Sequence, residues 1–134
     1  MSPLLLIVDD EREILDILQE DLGNQGYRVA AASRGEAAIE AFRSMYPRPD
    51  LVLVDVVMPG MSGPMLVDKL RALDAHVPVL FMSGFHERQV VQRYVLEEGF
   101  RMILKPFMLR DLRAAVKESI EAAPKIPEPE TIVH

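Results

Sequence analysis

The chain has 134 residues, 49% of them apolar and 27% charged, with 15 Lys and Arg against 21 Asp and Glu and a formal charge of −6. At roughly 100–200 residues per domain this is one globular domain, long enough to fold around its own core without disulfides or a structural metal. The absence of cysteine excludes thiol catalysis, Cys-ligated zinc and a disulfide framework, and the acidic excess argues against a nucleic-acid surface, which needs clustered Lys and Arg.

The first apolar run, Leu4 to Val8, has strand length, no basic flank and no cleavage site, and no apolar run reaches the ~18 residues of a membrane span. The expectation is a soluble, unexported, cytoplasmic protein. After that run Ile14, Leu15, Leu18 and Leu22 share one helical face, with Gly23 and Gly26 as the expected stop. A second strand is expected over Tyr27 to Ala31. Ser33 and Glu36 then have the spacing of a capping box, opening a helix whose inner face is Ala37, Ala38, Ala41 and Phe42.

The third strand, Leu51 to Asp55, precedes a helix with Leu66, Leu70 and Leu73 on one face; the fourth, Val77 to Met82, precedes one with Val90, Val91, Tyr94 and Val95, closed by Gly99. The fifth, Met102 to Leu104, precedes Leu109, Leu112, Val116 and Ile120. Strands one, three and four are apolar at successive positions, as parallel strands covered on both faces require. The pattern predicts a single doubly wound α/β domain over residues 3–123, with five parallel strands flanked by five helices. Residues 124–134 carry three prolines in six positions and no periodicity, and are expected to form an extended tail or linker.

In an open parallel sheet the ligand site lies at the carboxyl ends of the strands, near the switch in strand order. Strand one ends in Asp9, Asp10 and Glu11, strand three in Asp55, strand four in Ser83-Gly84, and strand five in Lys105-Pro106. Singly, each has an ordinary explanation: Asp9 or Asp10 as a helix cap, Ser83 in a turn, Lys105 in solvent. Together they do not, because carboxylates crowded at one edge repel by a few kcal/mol unless cations sit among them. Lys105 is one such cation, in a chain with four lysines and eleven arginines. A hard divalent ion bound by carboxylate oxygens and retained waters is the natural second, which describes magnesium.

These motifs resemble the receiver domain of bacterial response regulators in two-component signalling, over residues 4–122. The matching segments are Asp9-Asp10-Glu11, Asp55 through Gly63 with Met58-Pro59-Gly60, Met82-Ser83-Gly84 and Lys105-Pro106-Phe107. The wording of Val79 to Phe85 and Val95 to Gly99 is most similar to receivers of hybrid histidine kinases. The resemblance implies a flavodoxin-like fold in which Asp55 accepts a phosphoryl group from a phosphohistidine. It further implies that Asp10, Asp55 and the Val57 carbonyl ligate Mg²⁺, that Asp9 acts mostly through water, and that Lys105 and Ser83 bind phosphoryl oxygens. A cis Lys105-Pro106 bond belongs to the same implication. The implied partner is a histidine kinase or histidine phosphotransfer protein, docking on the first helix through Ile17 and on the loop after strand five through Phe107. The domain itself is expected to be a monomer or weak homodimer.

The chain departs from the family's pattern in two ways. Met102 stands where an aromatic ring often accompanies activation, and a thioether does not reproduce a phenol that moves between core and solvent. Val57 and Phe85 flank the phosphoacceptor with apolar groups, so slow loss of phosphate is expected. His76 and His86 read as loop residues without metal spacing, and His134 ends the tail. The alternatives weighed are a receiver fold acting as an interaction module without phosphorylation, a flavodoxin-like cofactor binder and an aspartyl-nucleophile phosphatase. Asp9-Asp10-Glu11 opposes the cofactor reading with negative charge where a phosphate cradle is needed, and Asp9-Asp10 lacks the phosphatase spacing.

Overall fold

Strands with apolar residues at every position form the centre of the sheet, because only there does protein cover both faces. The computed structural model describes residues 2–84, 93–94 and 97–123. These comprise β1 (Leu4–Val8), α1 (Arg12–Asn24), β2 (Arg28–Ala32), α2 (Gly35–Ser44), β3 (Leu51–Asp55), α3 (Gly63–Leu73), β4 (Val79–Ser83), β5 (Arg101–Leu104) and α4 (Leu109–Ala122). The strands run parallel in the order β2-β1-β3-β4-β5, so the order reverses between β1 and β3. β3 and β4 are buried throughout, and the edge strands β2 and β5 are partly exposed.

The two-residue period of the strands divides the core in two. Leu6, Val8, Val52, Val54, Val79 and Phe81 face a layer that includes Ala38, Phe42, Leu66 and Leu70 of α2 and α3. Leu5, Ile7, Leu51, Leu53, Leu80 and Met82 face Leu15, Leu18, Leu22, Leu112 and Val116 of α1 and α4. On the first side Phe81 meets Tyr94 and Phe100 edge-on, and Tyr94 stacks on Phe100 at 5.4 Å. Arg71 caps that stack with its guanidinium 4.3 Å from the Phe100 ring centre. On the second side Arg113 of α4 grips the buried Asp21 of α1 with two nitrogens, one at 2.9 Å, and holds the Asp21 carboxyl below its usual range.

Several expected boundaries shift. Gly23 lies inside α1, which runs on to Asn24; the turn out of the helix is made at Gly26, with φ +96°. β2 starts one residue late, at Arg28, whose N–H pairs with the Pro3 carbonyl. No capping box forms at Ser33: the chain stays extended through Arg34, which takes the N-cap position without a side-chain bond. β4 begins at Val79 because the Val77 N–H turns back to Asp74, and it extends through Ser83. Leu73 is exposed, while Val67 joins Leu66 and Leu70 in the core. β5 includes Arg101. Of the fourth helical stretch, residues 93–94 and 97–98 are helical and Tyr94 packs on the core; Val90, Val91 and Val95 lie outside the described residues. Phe85, His86 and the tail 124–134 lie outside them too, and His76 is exposed. Lys105-Pro106 is cis, as is Tyr46-Pro47.

Candidate functional site

Strand alternation continued past the strand ends sets up the site. Asp9 follows Leu5 and Ile7 in period two, Asp55 follows Leu51 and Leu53, and Lys105 follows Ile103, so all three leave the sheet on the α1 and α4 side. The parallel registers of β1 with β3, of β3 with β4 and of β4 with β5 bring those ends level. The result joins residues 46 to 96 positions apart. Lys105 Nζ donates to Asp9 Oδ2 at 2.7 Å and to Asp55 Oδ2 at 3.3 Å, and lies 3.7 Å from Glu11 Oε1. Glu11 as a third carboxylate on Lys105 did not emerge from sequence reasoning; its signal was its place beside the Asp pair.

Burial grades the three aspartates. Asp9 is fully buried, Asp55 nearly so, and Asp10 exposed. The second oxygen of Asp9 accepts the Glu11 N–H at 2.9 Å, which shapes the entry to α1 whose N-cap is Glu11. Asp9 is thus satisfied within the protein by an ammonium and an amide. Neither Asp9 nor Asp10 takes the N-cap position. Asp55 has less compensation: beyond Lys105, only the Val57 N–H approaches its Oδ1, at 3.5 Å. Burial, and then the Asp9 charge, push the Asp55 carboxyl up to about 6, more than Lys105 and Val57 pull it down. Burial opposes the Lys105 ammonium, but its Asp9 hydrogen bond and the charges of Asp55 and Asp9 hold its pKa above the usual range.

Asp9, Asp10 and Asp55 each offer a carboxylate oxygen, and those oxygens lie within 4.8 Å of one another. An oxygen-only acidic set with one exposed member can bind a hard metal ion. Ser83 is buried on the opposite strand parity, and its hydroxyl donates to the Gly84 carbonyl at 3.3 Å. Val57 is 51% exposed at the rim. Beside the cluster runs a groove of about 690 Å³ lined by Glu11, Ile14, Ile17, Lys105, Pro106 and Phe107, among others. Ile17 is 52% exposed, while Phe107 is half-buried against the α1 and α4 core. Among the described residues no helix is long and apolar enough to cross a membrane.

A family model of the response regulator receiver domain matches residues 5–117. Sporulation initiation phosphotransferase F of Bacillus subtilis is 31% identical over 88% of this chain and 94% of its own length. Sensor kinase CckA of Brucella abortus is 33% identical over 90% of this chain, which spans only 13% of that kinase. A CheY-like response regulator receiver domain protein from Methanospirillum hungatei superimposes with a TM-score of 0.81 at 27% identity, covering 90% of this chain and 95% of that one. With the match spanning β1 to α4 and the acidic cluster at the sheet's switch point, the chain belongs to the response regulator receiver domain family of two-component signalling.

Proposed function

We propose that this domain accepts a phosphoryl group from a phosphohistidine onto Asp55. The observation that carries the reading is the Lys105 ammonium among Asp9, Asp55 and Glu11, with Asp10 bringing a further carboxylate oxygen within 4.8 Å of those of Asp9 and Asp55, a charge arrangement that attracts cations and then a phosphoryl group. An Asp55 carboxylate oxygen forms the new P–O bond as the P–N bond breaks and the imidazole departs with that electron pair. Charge in such a loose transition state lies on the equatorial oxygens, so positioning and neutralisation supply the catalysis. Lys105 stands within 3.3 Å of Asp55 to neutralise one of them. The Ser83 hydroxyl, spent on a long bond to Gly84, is available to turn toward another.

The oxygen donors fit magnesium: Asp10, Asp55 and the Val57 carbonyl would hold it, with Asp9 through water because Lys105 and Glu11 occupy that side chain. The ion would supply charge neutralisation and a template for the phosphoryl oxygens. Residues 3–123 act as the domain and 124–134 as linker. The groove between α1 and the loop after β5 receives a helix of a histidine kinase or phosphotransfer protein on Ile17 and Phe107, which places the donor beside Asp55. Met102 packs with the core on the Phe81 side, paired in register with Phe81. A thioether there repacks without changing exposed polarity, which favours readout beside the site over readout through β5 and α4.

Intact mass after incubation with acetyl phosphate tests the assignment. The wild type gains one phosphoryl group with Mg²⁺ and none with EDTA, and Asp55→Asn gains none in either. Equal labelling of wild type and Asp55→Asn overturns it.

A further inference from the structure

Two helices begin at a glycine, and in both cases the backbone has no room for a side chain. A Cβ on Gly63, the first residue of α3, would lie 2.3 Å from the Asp55 backbone oxygen and 3.0 Å from Val56 Cα. Its N–H donates to the Val56 carbonyl at 2.8 Å, so α3 starts seated on the end of β3. A Cβ on Gly35, the first residue of α2, would lie 2.6 Å from Met61 Sδ, 2.9 Å from Met61 Cβ and 3.1 Å from Met61 Cγ. Neither glycine has a left-handed φ; the requirement is space alone.

The Gly35 contact reaches the loop that follows Asp55. Met61 Cβ is fixed to its backbone, so no change of rotamer clears that contact. A larger residue at 35 therefore moves either α2 or the loop. α2 is anchored by Ala38 and Phe42, both fully buried. The loop has one buried side chain, Met58, to hold it to the core; Val57, Pro59 and Gly60 are exposed, and its internal ties are the Met61 N–H to the Pro59 carbonyl and the left-handed Gly60 at φ +82°. The same loop aims the Val57 N–H at Asp55 Oδ1.

We propose that Gly35 and Met61 are positioning residues for the cation site: Met61, seated on bare Gly35 backbone, fixes the Val57–Ser62 loop against Asp55. The inference rests on the magnesium reading above and adds to it two residues that touch neither metal nor phosphate. Mg²⁺ demands nearly ideal octahedral geometry at about 2.0–2.1 Å, so a loop displaced by a few tenths of an ångström binds it poorly. Groups outside the ligand shell typically change metal affinity about 10- to 100-fold.

Mg²⁺ titration followed by amide NMR shifts, on the full chain, is the test. Wild type should bind and Asp10→Asn should not; failure of that pair refutes the magnesium reading itself. Given that pair, Gly35→Ala should raise Kd about tenfold, at the low end of such outer-shell effects, and Met61→Ala, which keeps its Cβ, about threefold, below that range. Gly23→Ala, in a position where a Cβ meets nothing within 4 Å, should leave Kd unchanged. A folded Gly35→Ala with wild-type Kd overturns the proposal. If Gly35→Ala does not fold, Met61→Ala decides: wild-type affinity there overturns it and weakened affinity supports it.

Discussion

Replacing Asp55 by asparagine should stabilise the metal-free protein at neutral pH. Asparagine has the shape of the protonated acid, so the substitution removes only the cost of ionising this carboxyl in the folded state. Burial and the Asp9 charge raise the Asp55 pKa from 3.8 to about 6 despite Lys105. At about 1.4 kcal/mol per pH unit, ionisation costs the fold about 3 kcal/mol once the pH exceeds both values. The sign follows from proton binding: between pH 3.8 and about 6 the folded state holds the proton that the unfolded state has lost. Wild-type stability therefore falls as pH rises through that window and then levels, while the Asp55→Asn curve lacks this slope. The two should converge below about pH 4 and differ by about 3 kcal/mol at pH 7.5, or about 10 °C in Tm. Urea denaturation in EDTA across pH 4–8 measures the difference directly. Mg²⁺ should close the gap by binding the wild-type site in the folded state only. An Asp55→Asn protein no more stable than wild type in EDTA at pH 7.5 would refute the reasoning, because Lys105 would then outweigh burial and Asp9.

Lys105→Met should have the opposite effect, losing about 3 kcal/mol in EDTA at pH 7.5, since it leaves the buried Asp9 and Asp55 carboxylates without their shared ammonium; unchanged stability in a chemical melt would contradict the ion-pair geometry. Gly63→Ala should cost about 3 kcal/mol or more, because the new methyl meets the Asp55 and Val56 backbone rather than a movable side chain, and a thermal melt matching wild type would show that α3 can lift off β3. Ile17→Ala, at a 52% exposed position, should change stability by less than about 0.5 kcal/mol. The same variant should slow phosphotransfer from a histidine-bearing partner several-fold, and an unchanged rate in a time-resolved transfer assay would remove Ile17 from the docking surface.

The central strands were legible in the sequence because burial on both faces leaves continuous apolar runs such as Leu51 to Val54, and the helical faces because one-sided burial leaves the spacing of Leu15, Leu18 and Leu22. The gathering of Asp9, Asp10, Asp55 and Lys105 was legible for the same reason: carboxylates and a lysine that directly follow apolar strands have one edge to occupy in a parallel sheet. Local punctuation was less reliable. Ser33 and Glu36 have capping-box spacing, but the chain remains extended through Arg34, and Gly23 sits in a helix interior whose end is set by Gly26. Tertiary structure alone decided which charges meet. Lys105 bonds Asp9 at 2.7 Å and Asp55 at 3.3 Å because the registers of four parallel strands bring their ends together, and no local pattern encodes a register between segments 50 to 96 residues apart. The Arg113 grip on Asp21, the raised pKa of Asp55 and the seat of Met61 on Gly35 have the same origin. Each depends on distances across the fold and on water excluded by neighbours remote in the chain, which sequence spacing does not contain.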